Sequence, residues 1–164
     1  MLFDSGGSAH TKVDICVRYI IRLFGLTYFV LGLLKLHGLL FPVDAMVDYL
    51  GMPNPILFFL TNQMVLITAA FIEIPVGLFI LISKRELRTL AGVLLWITAI
   101  AICYKFGLAA VHYKGPCGCL LGINRFLPIS TATQKSLSDI ILVAALIASL
   151  TAMCYAKIVK KYVK

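Results

Sequence analysis

Two cysteines one residue apart stand in the run His112-Tyr113-Lys114-Gly115-Pro116-Cys117-Gly118-Cys119-Leu120-Leu121-Gly122. A disulfide needs Cα atoms within about 7 Å, and a bent turn with a glycine between the thiols can supply that. A ring this small is strained, and strained, exposed disulfides are the oxidising, labile kind used in exchange. The same sulfurs also suit a soft metal. With His37 and His112 they make a two-sulfur, two-nitrogen set of the kind that holds zinc or copper, although the spacing matches no strong zinc pattern. A third reading leaves Cys117 and Cys119 as separate loop thiols and each histidine as a hydrogen-bonding group at a membrane interface.

Other residues bear on that chemistry through their positions. Lys35 and Lys105 are cations in otherwise apolar runs. A cation beside a thiol lowers its pKa and raises its thiolate fraction, whereas a long side chain near a helix end also snorkels to the interface. Cys103 reads as a buried, inert thiol or as a relay to the outer pair. Cys16 and Cys154 read as reduced structural thiols. Glu73 lies in an apolar run, where an ionisable group is costly and is paired or functional. Depth counted along helices at about 1.5 Å per residue matches it to Arg22, so a Glu73–Arg22 ion pair is expected, with a proton-relay acid as the alternative. Asn62 and Gln63 are candidates for lining a small polar pocket.

The elements that hold these residues follow from the composition. Of 164 residues, 61% are hydrophobic and 13% are charged, and the mean hydropathy is +0.99. A soluble domain is nearer half apolar and a quarter charged, so the chain belongs in a lipid bilayer. The net charge of +8 does not indicate nucleic acid, because the basic residues cluster at the ends of the apolar runs. Five cysteines exclude a fully paired framework within one chain.

Four runs approach the roughly 20 apolar residues that cross the hydrocarbon. They cover residues 17–41, 56–82, 87–111 and 137–158, the second opened by Pro53 and Pro55 and the last capped by Ser136 or Ser138. Residues 1–14 lack the pattern of a cleaved signal peptide and are expected to be poorly ordered, with the first apolar run retained. Short connections imply a single all-α membrane domain, a four-helix bundle running up-down-up-down. Gly25 and Gly32 on the first helix, and Ala144, Ala148 and Ala152 on the last, are small residues suited to close helix approach.

Orientation follows from lysine and arginine. Lys12, Arg18 and Arg22, then Lys84, Arg85 and Arg88, then Lys157, Lys160, Lys161 and Lys164 fall on one side and outnumber Lys114, Arg125 and Lys135 on the other. Both termini are therefore expected in the cytoplasm. The loop of about 112–135 then faces the periplasm or extracellular space, where disulfides persist.

Arg22, Gly25 and Gly32-Leu33-Leu34-Lys35, together with Glu73 followed by Gly77, resemble the DoxX-like four-helix membrane proteins. The outward Cys117-Gly118-Cys119 with Gly122 downstream narrows the resemblance to the MauE-type, redox-associated branch, named for methylamine utilisation. That branch often has Cys-x-Cys-Phe-Gly, where this chain has Cys119-Leu120-Leu121-Gly122. The resemblance implies a role in disulfide formation or maturation of exported proteins, in the bacterial inner membrane, beside a thioredoxin-like partner. The DoxX side of the resemblance implies a quinone-linked oxidoreductase subunit instead. A third class is a non-catalytic, metal-binding scaffold. A vitamin K epoxide reductase-like enzyme relies on a Cys-x-x-Cys pair, which the chain lacks.

Overall fold

In the computed structural model, residues 6–42, 44–113 and 130–162 are described. They form five helices: α1 (Gly6–Leu40), α2 (Asp44–Gly51), α3 (Asn62–Ile82), α4 (Leu87–Ala110) and α5 (Thr131–Tyr162). Four are long and apolar enough to cross a membrane, over Val13–Leu40, Asn62–Ile82, Leu87–Ala110 and Ala132–Val159. The shortest has 21 residues, or about 31 Å of helix, close to the thickness of the hydrocarbon layer. The chain is an all-helical, multi-pass membrane protein.

The helix bounds depart from the apolar runs for local reasons. α1 starts at Gly6, so the polar start expected to be poorly ordered is helical over much of its length. Asp14 supports this extension by accepting from Arg18 Nε at 2.8 Å, one turn on. α3 starts at Asn62 rather than near Ile56, because residues 52–61 fold on themselves. Asn54 Oδ1 accepts from the Ile56 and Leu57 amides at 3.1 and 2.9 Å. The Asn54 amide donates to Leu60 O at 2.8 Å. Thr61 then caps α3, its Oγ1 accepting from Met64 N at 3.3 Å. Ser130, rather than Ser136 or Ser138, stands at the start of α5, with Oγ accepting from Thr133 N at 3.2 Å. The short α2, with no counterpart among the expected spans, packs on α3 through Leu50 and Leu66.

α4 ends at a residue type unusual for its backbone. His112 has φ 51°, the left-handed position that glycine most often fills after a helix. Its amide donates to Ala109 O and that of Tyr113 to Leu108 O, both at 3.0 Å. These two bonds form a Schellman motif and satisfy carbonyls that the helix end would otherwise leave open.

Helices α1 and α3 pack as one close pair, and α4 and α5 as another. A Cβ added to Gly77 would lie 2.6 Å from Phe29 N and 2.7 Å from Gly25 O. Backbone therefore meets backbone at this crossing, as small residues allow in membranes. A Cβ on Gly32 would meet Ile74 Cγ1 at 2.7 Å. The pairs Gly25–Ile80 and Gly32–Ile74 advance in opposite directions, so α1 and α3 are antiparallel. On α5 the buried face runs through Leu142, Ala145, Ser149 and Ala152, while Ala144 and Ala148 are only half-buried.

Polarity is distributed as lipid demands. Large apolar side chains such as Leu23 on α1, Phe71 on α3 and Phe106 on α4 point outward, while Lys35, Asn54, Asn62, Glu73, Thr98 and Ser149 are buried. Hydrocarbon is as apolar as leucine, so no hydrophobic force drives leucine inward, and polar groups gain by finding each other inside the bundle.

Candidate functional site

The antiparallel register of α1 and α3 decides which charges meet. One turn beyond Gly32, Lys35 reaches Glu73 near the middle of α3, and its Nζ donates to Glu73 Oε1. Both residues are buried, Lys35 to 5% exposure and Glu73 to 9%. The expected Glu73–Arg22 ion pair is thus replaced by Glu73–Lys35. A second helix starting near Ile56 would set Glu73 at the depth of Arg22. The actual start at Asn62 moves Glu73 toward the end of the bundle where Lys35 lies. Arg22 falls on the far side of the Gly25 crossing, half-buried, with Nε lacking a hydrogen-bond partner among the described residues.

A cavity of about 240 Å³ opens beside the pair. Its wall is mainly apolar, with Ile72, Ile97 and Ile100 among the lining residues. The polar groups that border it are Lys35, Glu73, Tyr49, Asn62, Thr68 and Tyr104. Asn62 thus lines a pocket, but a mainly apolar one rather than the small polar one expected, and Gln63 is exposed outside it. Asn54, 1% exposed, braces the end formed by residues 52–61. Its Nδ2 donates to Asn62 Oδ1 at 3.0 Å and to Tyr104 Oη at 2.8 Å. Asn62 Nδ2 in turn donates to Tyr49 O at 3.0 Å. Ile56 of the same segment presses on α4, where a Cβ on Gly107 would meet its Cδ1 at 2.8 Å.

Deeper in the bundle, Tyr28 Oη and Thr98 Oγ1 share a buried hydrogen bond of 2.9 Å. Thr98 Oγ1 donates to Leu94 O at 2.7 Å, so the tyrosine is the donor to the threonine. Neither Asn54, Tyr104 nor this pair was singled out by sequence reasoning. The available signal was a polar residue inside or beside an apolar run.

The remaining candidates disperse. Lys105 donates to Asp139 and ties α4 to α5. With Lys35 held by Glu73, both lysines expected to support the thiols have carboxylate partners. His37 is half-buried and tilts against Phe41, with ring centroids 5.2 Å apart. His112 is exposed at the end of α4. Cys103 is exposed on the outside of α4 rather than buried, and Cys16 and Cys154 are likewise free and exposed. Cys117 and Cys119 lie outside the described residues. Among the described residues, no three of His, Cys, Asp and Glu converge as a metal site. The two nitrogens of the His37, His112, Cys117 and Cys119 set are therefore described without their sulfurs.

No protein-family model matches the chain, and no curated protein or solved structure matches it either. The chain is a multi-pass, four-helix membrane bundle with a buried Lys–Glu pair beside a cavity.

Proposed function

We propose that this chain is a membrane-embedded thiol–disulfide redox and assembly factor of the bacterial inner membrane. It acts on exported proteins beside a thioredoxin-like partner, through Cys117 and Cys119. The observation that carries this reading is the Cys-Gly-Cys sequence in a Gly- and Pro-containing run, which begins where α4 ends in the tight turn at His112. An up-down-up-down path with both termini in the cytoplasm sets that run on the oxidising side. Exposed Lys84, Arg85 and Arg88 at the opposite end of α4 support this orientation.

In the exchange, the thiolate of one cysteine attacks a disulfide of the partner and displaces one of its sulfurs as a thiolate. The second cysteine then attacks the mixed disulfide and releases the other sulfur. The chain ends with a Cys117–Cys119 disulfide and the partner with two thiols, so two electrons pass to the partner. The reverse sequence oxidises the partner. Replacing both cysteines with serine should shift the thiol–disulfide state of exported proteins in intact cells. An unchanged state for all of them would contradict the proposal.

The cavity favours a second reading, that of a quinone-linked oxidoreductase membrane subunit of DoxX type. An apolar chamber bordered by an ion pair suits a small amphipathic electron carrier. A quinone-dependent absorbance change in the purified protein would favour this reading over the first.

A further inference from the structure

The cavity carries information about its ligand that does not depend on the cysteines. Its volume of about 240 Å³ is larger than an apolar cavity of about 150 Å³ known to take up benzene. It therefore has room for one substituted six-membered ring. The isoleucines of α3 and α4 supply an apolar wall for such a ring.

The polar border is specific in another way. Glu73 Oε1 accepts from Lys35, while Glu73 Oε2 is buried with no hydrogen-bond partner among the described residues. A carboxylate oxygen without a donor, away from water, is costly and needs an explanation. The terminal torsion of a glutamate is soft, so the unused oxygen turns toward a neighbouring donor at little cost. Lys35 carries three N–H donors, of which the described residues take one. Glu73 and Lys35 thus stand together at the edge of one apolar chamber. A hydroxyl group matches both at once, because it donates one hydrogen bond and accepts another. A bare carbonyl satisfies the ammonium and leaves the carboxylate oxygen as it was. An ether does the same more weakly.

We infer that this cavity binds a single-ring, hydroxyl-bearing apolar molecule of the phenol or hydroquinone type, its hydroxyl donating to Glu73 and accepting from Lys35. Where the quinone-linked reading holds, the reduced carrier binds here in preference to the oxidised one.

The test uses 4-propylphenol and its methyl ether, titrated into the full chain in detergent and followed by calorimetry. The ether has nearly the same shape and lacks only the donor. Saturable binding is expected, with the phenol at least about tenfold tighter than the ether, since a hydrogen bond to a charged group supplies that much discrimination. Glu73→Gln should weaken the phenol and leave the ether unchanged. The double variant Lys35→Met/Glu73→Leu should keep the apolar chamber, bind both molecules and lose the preference. Absence of saturable binding to the wild type, equal affinity for the two molecules, or the same preference in the double variant would overturn the inference.

Discussion

Lys35 on α1 and Glu73 on α3 form a buried ion pair inside the bundle. Breaking one half of such a pair leaves an uncompensated charge, whereas replacing both with apolar groups is close to neutral or stabilising. Glu73→Leu alone is therefore expected to cost about 3 kcal/mol or more. Lys35→Met/Glu73→Leu should be as stable as the wild type or more so. Reversible unfolding in mixed detergent measures both. A double variant as unstable as the two single losses added together would show that the pair is not coupled.

The crossing of α1 and α3 makes a second prediction from contrast. Alanine at Gly77 meets Phe29 backbone at 2.6 Å, whereas alanine at Gly25 first meets the Ile80 side chain at the same distance. Side chains move more easily than backbone, so Gly77→Ala should cost about 1–3 kcal/mol and Gly25→Ala less. Nothing lies within 4 Å of a Cβ at Gly92, and Gly92→Ala should gain up to about 1 kcal/mol from helix propensity. The order Gly77, Gly25, Gly92 from most to least destabilised, in thermal unfolding, is the outcome to check.

His112 offers a third test, since its left-handed backbone costs a non-glycine residue about 1–2 kcal/mol. His112→Gly should stabilise the fold by about 1 kcal/mol, and His112→Val should destabilise it. A stability loss in His112→Gly would point to a stabilising side-chain contact that outweighs the backbone strain. Thiol exchange that falls in His112→Gly while stability rises would show that the imidazole serves the cysteines.

The proposed orientation makes a fourth. A membrane-impermeant maleimide should reach Cys117 and Cys119 in intact spheroplasts after mild reduction. A cysteine placed at Lys84 should react only once the inner membrane is opened. The opposite pattern would reverse the topology.

Much of this architecture was legible in the amino-acid sequence. Four apolar runs of membrane length give four helices because in lipid the backbone has few other ways to satisfy its hydrogen bonds. The partner of Glu73 was not legible. Its depth depends on where α3 begins, and that start is fixed by Asn54 folding residues 52–61 into a separate turn. Periodicity and hydropathy do not report such a side-chain-to-backbone closure. The cavity was equally hidden, apart from Asn62, since Tyr49, Thr68 and Tyr104 meet only through the packing of three elements. The small face of α5 was displaced for a related reason. A spacing of four marks Ala144, Ala148 and Ala152, but burial alternates by three and four through Ala145, Ser149 and Ala152.

The most direct measurement of the proposed function is a trapped intermediate. Each of Cys117→Ser and Cys119→Ser is expressed in its native host and recovered after rapid acid quenching of thiols, and non-reducing electrophoresis followed by mass spectrometry identifies any adduct. One single variant should accumulate a mixed disulfide with an exported, thioredoxin-like protein through its remaining cysteine, and the double variant should not. If neither single variant forms an adduct while both are folded and inserted, Cys117 and Cys119 do not exchange disulfides and the proposed function is wrong.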